Sequence, residues 1–164
     1  MNLKERRAEA VEVISTALDI LGPNFNHPKA MTMLLAIGFQ ESAFLHTHQI
    51  GGPAHGWWQF ESGGGVLGVM THHQTQRRAR DIIVNRYGLP FERAEIFAQI
   101  EQDQILAAIF ARLLLWTDPA PIPTEQAEAW NVYDRTWRPG KPHPERWPAS
   151  WAFAMNKIED EPIS

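Results

Sequence analysis

The residues best suited to chemistry lie between Ile37 and Glu61. There an apolar helical run ends on a carboxylate, Glu41, followed by Ser42. The chain then crosses a loop rich in glycine and histidine and reaches Gly56-Trp57-Trp58-Gln59-Phe60-Glu61. A carboxyl group emerging from an apolar wall stays protonated to higher pH, because burial disfavours its charged form. Such a group can protonate a leaving oxygen near neutral pH. Aromatic and amide side chains opposite it suit acid chemistry on a sugar: tryptophan offers a flat apolar face and one N–H donor. Gln59 can donate to or accept from an acetamide or hydroxyl. Adjacent residues in an extended segment point to opposite faces, so one of Trp57 and Trp58 is expected to face the core and the other a cleft.

A second group, Trp130-Asn131 with Tyr133 and Asp134 nearby, reads equally well as a helix packing through Trp130 and as part of a site. His46, His48 and His55 raise the question of zinc, but no carboxylate or thiolate stands at a recognised ligand spacing such as His-Glu-x-x-His. His72-His73 diverge on a helix. No metal site and no cofactor is expected. No Gly-x-Ser-x-Gly elbow or phosphate-binding loop is present.

The elements that must position these groups are helices. Leu3 to Leu21 carries Val11, Ile14, Leu18 and Leu21 on one stripe and stops at Gly22-Pro23. Pro28 suits the first turn of a second helix. Ala30, Met31, Met33, Leu34, Leu35, Ile37 and Phe39 make that helix apolar on nearly every side, which places it centrally. Glu41 sits at its C-terminal end, where the helix dipole also disfavours an ionised carboxylate. Phe44 to Gly65 reads as a loop or short hairpin, and Val66 to Met70 as a short helix. Thr75 is expected to cap a helix through Tyr87. Phe91 to Trp116 is helical in one or two pieces. Pro119, Pro121 and Pro123 force an extended loop. A further helix starts after Thr124, and a last one spans Trp147 to Ile158. Strand signals are nearly absent, so the fold class is mostly α. The 164 residues make one domain, 1–164, with a core over about 3–158 and a loose acidic end from Glu159 to Ser164.

Composition narrows the function classes. A net charge of −4 gives no bulk attraction to nucleic acid or anionic membrane. With no cysteine, disulfides and thiolate metal sites are impossible. Glu5, Glu9, Glu12 and Asp19 interrupt what would otherwise resemble a secretion signal, and no run is apolar enough to span a membrane. The chain is expected to be made in a cytoplasm and to reach any extracellular target by another route.

The order of the pieces carries a resemblance. Glu-Ser at the end of a buried helix, Gly-x-x-Gln after it and an aromatic-Asn on a later helix resemble the lysozyme-like lytic transglycosylases and goose-type lysozymes. Glu41-Ser42, Gly56-Trp57-Trp58-Gln59 and Ala129-Trp130-Asn131 match that family's Glu-Ser, Gly-Leu-Met-Gln and Ala-Tyr-Asn. The wording around Gly56 is similar to a phage-borne branch. The sequence departs from the pattern at Trp57-Trp58, at Val132-Tyr133 in place of Ala-Gly, and at Trp130. This last residue replaces a tyrosine whose hydroxyl, in the family, approaches the catalytic glutamate.

The resemblance implies a lysozyme-like domain with a small loop lobe. It also implies cleavage of the β-1,4 bond between N-acetylmuramic acid and N-acetylglucosamine in peptidoglycan. Glu41 would protonate the glycosidic oxygen and then act as base while the sugar's own 6-hydroxyl closes a 1,6-anhydro ring. Ser42, Trp57, Trp58, Gln59, Trp130 and Asn131 would contact substrate. A hydrolytic lysozyme would need a second carboxylate, for which Glu61 and Asp134 are the candidates. A phage would use such a protein as an endolysin with a membrane-permeabilising holin, or carry it in the virion among particle proteins. A non-catalytic structural protein on the same fold, or a zinc peptidase of the cross-links, are the competing classes.

Overall fold

The computed structural model describes residues 1–158. The expected loose end, Glu159 to Ser164, lies outside the described residues. The first helix, α1, spans Leu3–Leu21 and buries Ala10, Ile14, Ala17, Leu18 and Leu21. Asn2 caps it by accepting from the Glu5 N–H, and Gly22, at φ 98°, ends it in a conformation that disfavours any side chain. The second helix, α2, spans Pro28–Ser42 and buries eight residues, including Met33, Leu34, Leu35 and Ile37. It is the central helix that its all-round apolarity predicts, packed against α1 and the C-terminal helix.

The expected loop follows. Among the described residues there is no strand, only two isolated antiparallel bridges, His48 with His55 and His55 with Phe60. A wide turn over Ser62–Val66 leads into α3, Leu67–Thr71. The next helix, α4, covers Gln76–Asp81 and continues as a wider turn to Arg86. Thr75 precedes it but makes no side-chain cap. Its hydroxyl is fully buried and donates instead to the Val69 carbonyl at 2.7 Å, tying α3 to α4.

The Phe91–Trp116 stretch divides at Asp103 into α5, Arg93–Gln102, and α6, Gln104–Trp116. The Asp103 carboxylate accepts from the Leu106 N–H at 3.0 Å and so caps α6. The second of these is a core helix with ten consecutive buried residues from Leu106 to Leu115. One of them, Arg112, is satisfied by the Phe25 carbonyl at 2.9 Å and lies against the Phe25 and Trp116 rings.

Then come α7, Gln126–Trp137, and α8, Trp147–Ala154. The last helix is shorter than the expected Trp147 to Ile158, because Asn156 turns left-handed at φ 59° and breaks the ladder. Arg7 of α1 donates to the Phe153 and Ala154 carbonyls at its end. The architecture is helical and single-domain, and no helix among the described residues is long and apolar enough to cross a membrane.

Candidate active site

At the C-terminus of α2 the backbone makes an unusual exit. Ala43 and Phe44 both have positive φ, 52° and 56°. Two consecutive left-handed residues with side chains are costly and persist only where the surroundings fix them. Three contacts do so here. Arg6 donates to the Ala43 carbonyl at 2.8 Å. The Ser42 hydroxyl lies 2.7 Å from the Trp57 carbonyl and accepts from the Phe44 N–H at 3.1 Å. The Phe44 ring folds back over Gly38, where an added Cβ would come within 2.3 Å of it. The helix therefore stops abruptly, with Glu41 in its last turn.

Glu41 opens onto a groove of about 1380 Å³. Gln59, Phe60, Glu61, the Gly63–Gly65 turn, Tyr133 and Trp137 line it with Glu41, and Arg135, Arg138, Lys141 and Arg146 contribute to its wall. The Tyr133 hydroxyl donates to Glu41 Oε1 at 2.6 Å. Burial pushes the Glu41 carboxyl up from 4.5 to about 7; the Tyr133 hydrogen bond opposes that rise and the Glu61 charge adds to it. The Tyr133 hydroxyl is itself pushed up, by burial first and then by the neighbouring Glu41 charge, so it is a donor at every physiological pH.

Tyr133 is fixed from behind. Its ring stacks on Trp147 at 5.3 Å, nearly parallel, and Trp130 lies 5.4 Å away on the same helix. The Trp147 N–H donates to the Gln126 carbonyl, anchoring the stack to the start of α7. Next to Glu41, Gln40 bridges the Ser150 hydroxyl and the His143 carbonyl, which joins the end of α2 to α8 and to the segment before it. Arg135 makes a two-pronged ion pair with Asp118 at 2.8 and 2.9 Å, closing one corner of the groove.

The site expected from sequence is thus partly assembled and partly redistributed. Glu41, Gln59 and Glu61 come together on the groove. Gln59 sits at φ 53° in the turn closed by the two His55–Phe60 hydrogen bonds, and its amide donates to the Gly56 carbonyl at 2.9 Å. The expectation that one of Trp57 and Trp58 faces the cleft does not hold. Trp58 is fully buried with its N–H on the Leu34 carbonyl at 2.9 Å, Trp57 is 8% exposed, and neither lines the groove. The segment is a tight turn rather than a strand, so the alternation of an extended chain does not apply. Ser42 is likewise buried and serves as a clip between α2 and the Trp57 turn.

On α7, Trp130 is half-buried against Tyr133 and Trp147, behind the groove. Asn131 and Asp134 are exposed and lie off it. Of the two expected second carboxylates, Glu61 is the one that shares the groove with Glu41; Asp118 also lines it, paired with Arg135. Tyr133, expected only as a neighbour of the Trp130-Asn131 group, and Trp137, expected in no site, occupy the groove-facing side of α7; their i, i+4 spacing from each other is the signal for that face. Trp137 also donates to the Trp58 carbonyl at 3.0 Å, linking α7 to the turn.

The histidines separate. His46 lines the groove. His48 and His55 meet outside it, with Glu101 of α5 between them: His48 Nδ1 is 3.3 Å from Glu101 Oε1, and His55 Nε2 is 3.3 Å from Glu101 Oε2. The carboxylate missing at any recognised spacing comes from a distant helix.

No family model, curated protein or solved structure matches the chain.

Proposed function

We propose that this chain is a glycosidase of peptidoglycan, cleaving the bond between N-acetylmuramic acid and N-acetylglucosamine with Glu41 as its acid. One observation carries the reading: a single carboxyl held near pKa 7 at the end of a buried helix, with a hydroxyl on one oxygen and an open groove before it. At neutral pH a substantial fraction of such a group is protonated, as an acid for a glycosidic oxygen requires. The groove is larger than the usual small-molecule cleft of about 300–1,000 Å³ and suits an extended polymer. Its basic side chains complement a glycan that carries carboxylates on its lactyl groups and peptide stems.

The resemblance to lysozyme-like transglycosylases supplies the chemistry. Glu41 gives its proton to the leaving oxygen, then accepts the proton of the sugar's 6-hydroxyl as the anhydro ring closes. Tyr133 holds Oε1 and steadies the carboxylate that forms. Trp130 stands where the family has a tyrosine, and here the hydroxyl comes from Tyr133, about one helical turn later on α7. Gln59 and the basic wall position the strand. Hydrolysis is the alternative outcome, with Glu61 as the group that would activate water. A phage setting, as lysis enzyme or as virion component, agrees with the resemblance.

The test is incubation of isolated peptidoglycan with the protein and with Glu41→Gln, followed by mass spectrometry of the soluble products. Anhydro-muropeptides from the original, reduced by about 10²-fold or more in the variant, are expected. Products with free reducing ends would move the assignment to a lysozyme. No glycan product from several wall types would overturn the enzyme reading.

A further inference from the structure

We propose that His48, His55 and Glu101 form a zinc site that fastens the loop lobe to α5. Zinc takes imidazole nitrogen and carboxylate oxygen at about 2.0–2.2 Å, and two ligand atoms at a tetrahedral angle around such an ion lie about 3.3–3.5 Å apart. Each histidine nitrogen stands 3.3 Å from a Glu101 oxygen, and the three ligand atoms all lie within 4.8 Å of one another. Binding one ion among them would draw the wider separations in toward that spacing.

The orientation of His55 is the second argument. Its Nδ1 is 2.9 Å from the Phe97 carbonyl, and its ring stacks on the Phe97 ring at 3.7 Å and 6°. A carbonyl can only accept, so Nδ1 carries a hydrogen and Nε2 is the ring atom turned toward Glu101. That nitrogen and the Glu101 carboxylate oxygens are ligand atoms of the kind zinc takes. A ligand histidine whose other nitrogen donates to a backbone carbonyl is how metal sites orient their imidazoles. His55 is 12% exposed in its side chain and His48 53%, so the ring that is held is the deep one and an ion can enter past the other. Two imidazoles disfavour magnesium and calcium, which prefer oxygen ligands.

The site adds to the ties that already hold the loop lobe on α5, the His55–Phe97 stack and the packing of Gly56 on Ile100. His48 and His55 pair across one antiparallel bridge, and His55 pairs with Phe60 across the next. An ion held here fixes the base of the turn that presents Gln59 to the groove. None of the three ligands lines that groove, so the metal acts on the shape of the turn and takes no part in bond cleavage. Three protein ligands leave a fourth position to water.

The experiment is equilibrium dialysis of the full chain, free of any histidine tag, against zinc chloride, with bound metal counted by mass spectrometry. Thermal unfolding is followed with and without zinc. His48→Ala and Glu101→Gln test the ligands; both residues are partly exposed and carry no core packing. His73→Ala is the control for adventitious binding by the other histidines. One zinc per chain is expected for the original and for His73→Ala, with affinity at least about tenfold weaker in each ligand variant. Zinc should raise the unfolding midpoint of the original and leave that of His48→Ala unmoved. Binding of well under one equivalent by the original, or full retention of affinity in both ligand variants, would overturn the site.

Discussion

Two segments bring side chains to Glu41, and they do so in opposite ways. In the turn Gly56–Phe60 the aromatic residues go inward and the amide goes to the groove: Trp58 is fully buried, while Gln59 lines the cleft. In α7 the aromatic face reaches the groove, through Tyr133 and Trp137, and the amide of Asn131 goes to solvent. Both segments contain tryptophan next to an amide, so composition does not distinguish them. Backbone geometry does. A turn held by left-handed Gly56 and Gln59 sets each side chain separately, whereas a helix commits every third or fourth residue to one face. A residue's suitability for sugar chemistry therefore says little until the backbone that carries it is known.

The turn depends on the core, and the largest effect is expected there. Trp58→Ala removes a fully buried indole and its bond to the Leu34 carbonyl. A loss of about 3–5 kcal/mol is expected, from lost burial and the cavity left behind. Trp130→Ala, on the half-buried side of α7, should cost under about 2 kcal/mol. Chemical denaturation of both variants measures the contrast. Equal losses would mean that the turn is no more dependent on the core than the helix is.

Glu41 joins the two segments, and its removal should strengthen the fold. The folded carboxyl titrates near 7 against an ordinary 4.5, so the folded state holds the extra proton between those pH values. Stability therefore falls as pH rises through that window, by about 3 kcal/mol at most, and stays lower above it. Glu41→Gln lacks this loss while its carbonyl can still accept from Tyr133. It should be about 1–3 kcal/mol more stable than the original at pH 8 and equal to it at pH 4. Denaturation at the two pH values checks this; no gain at pH 8 would mean that Glu41 is well hydrated.

Much of this was legible before the structure. The bounds of α1 followed from its stripe and from Gly22, and the burial around Glu41 followed from a helix apolar on all sides. The partners of Glu41 were not legible in the same way. Tyr133 lies 92 residues away in sequence, and only the packing of α7 on α8 turns it toward the carboxyl. Glu101 meets His48 and His55 by the same kind of long-range closure. Trp57 and Trp58 depart from the expected alternation for a local reason: they sit in a tight turn, where the two-faced pattern of a strand does not hold. Thr75 departs from the expected cap because its buried hydroxyl donates to a carbonyl on the neighbouring helix.

Smaller effects separate the two segments at the carboxyl itself. The Tyr133 hydroxyl lowers the Glu41 pKa and the Glu61 charge raises it. If Glu41 is the acid, activity falls as pH rises through its pKa. Tyr133→Phe should therefore move that alkaline limb upward and Glu61→Gln should move it downward, each by up to about one pH unit. Tyr133→Phe also loses the group that steadies the departing proton's oxygen, so its maximal rate should drop at every pH. Release of soluble muropeptides across pH 5 to 9 reads both. Shifts in the same direction would mean that the acid is another group.

The smallest effect is expected at Asn131, where the two segments differ most from the resemblance. The aromatic-Asn pair suggests a substrate contact, yet Asn131 is exposed and lies off the groove because it is two residues, about 200° of helix, from the groove-lining Tyr133. Asn131→Ala should change stability by no more than about 0.5 kcal/mol, as for other surface positions without a partner. Its effect on muropeptide release should be far below that of Tyr133→Phe. If the order is reversed, glycan binding extends over the solvent face of α7, and the groove beside Glu41 is only part of the binding surface. If the order holds, the substrate-facing side of α7 is the one defined by Tyr133 and Trp137, and the Asn131 position is a likeness in sequence without the contact.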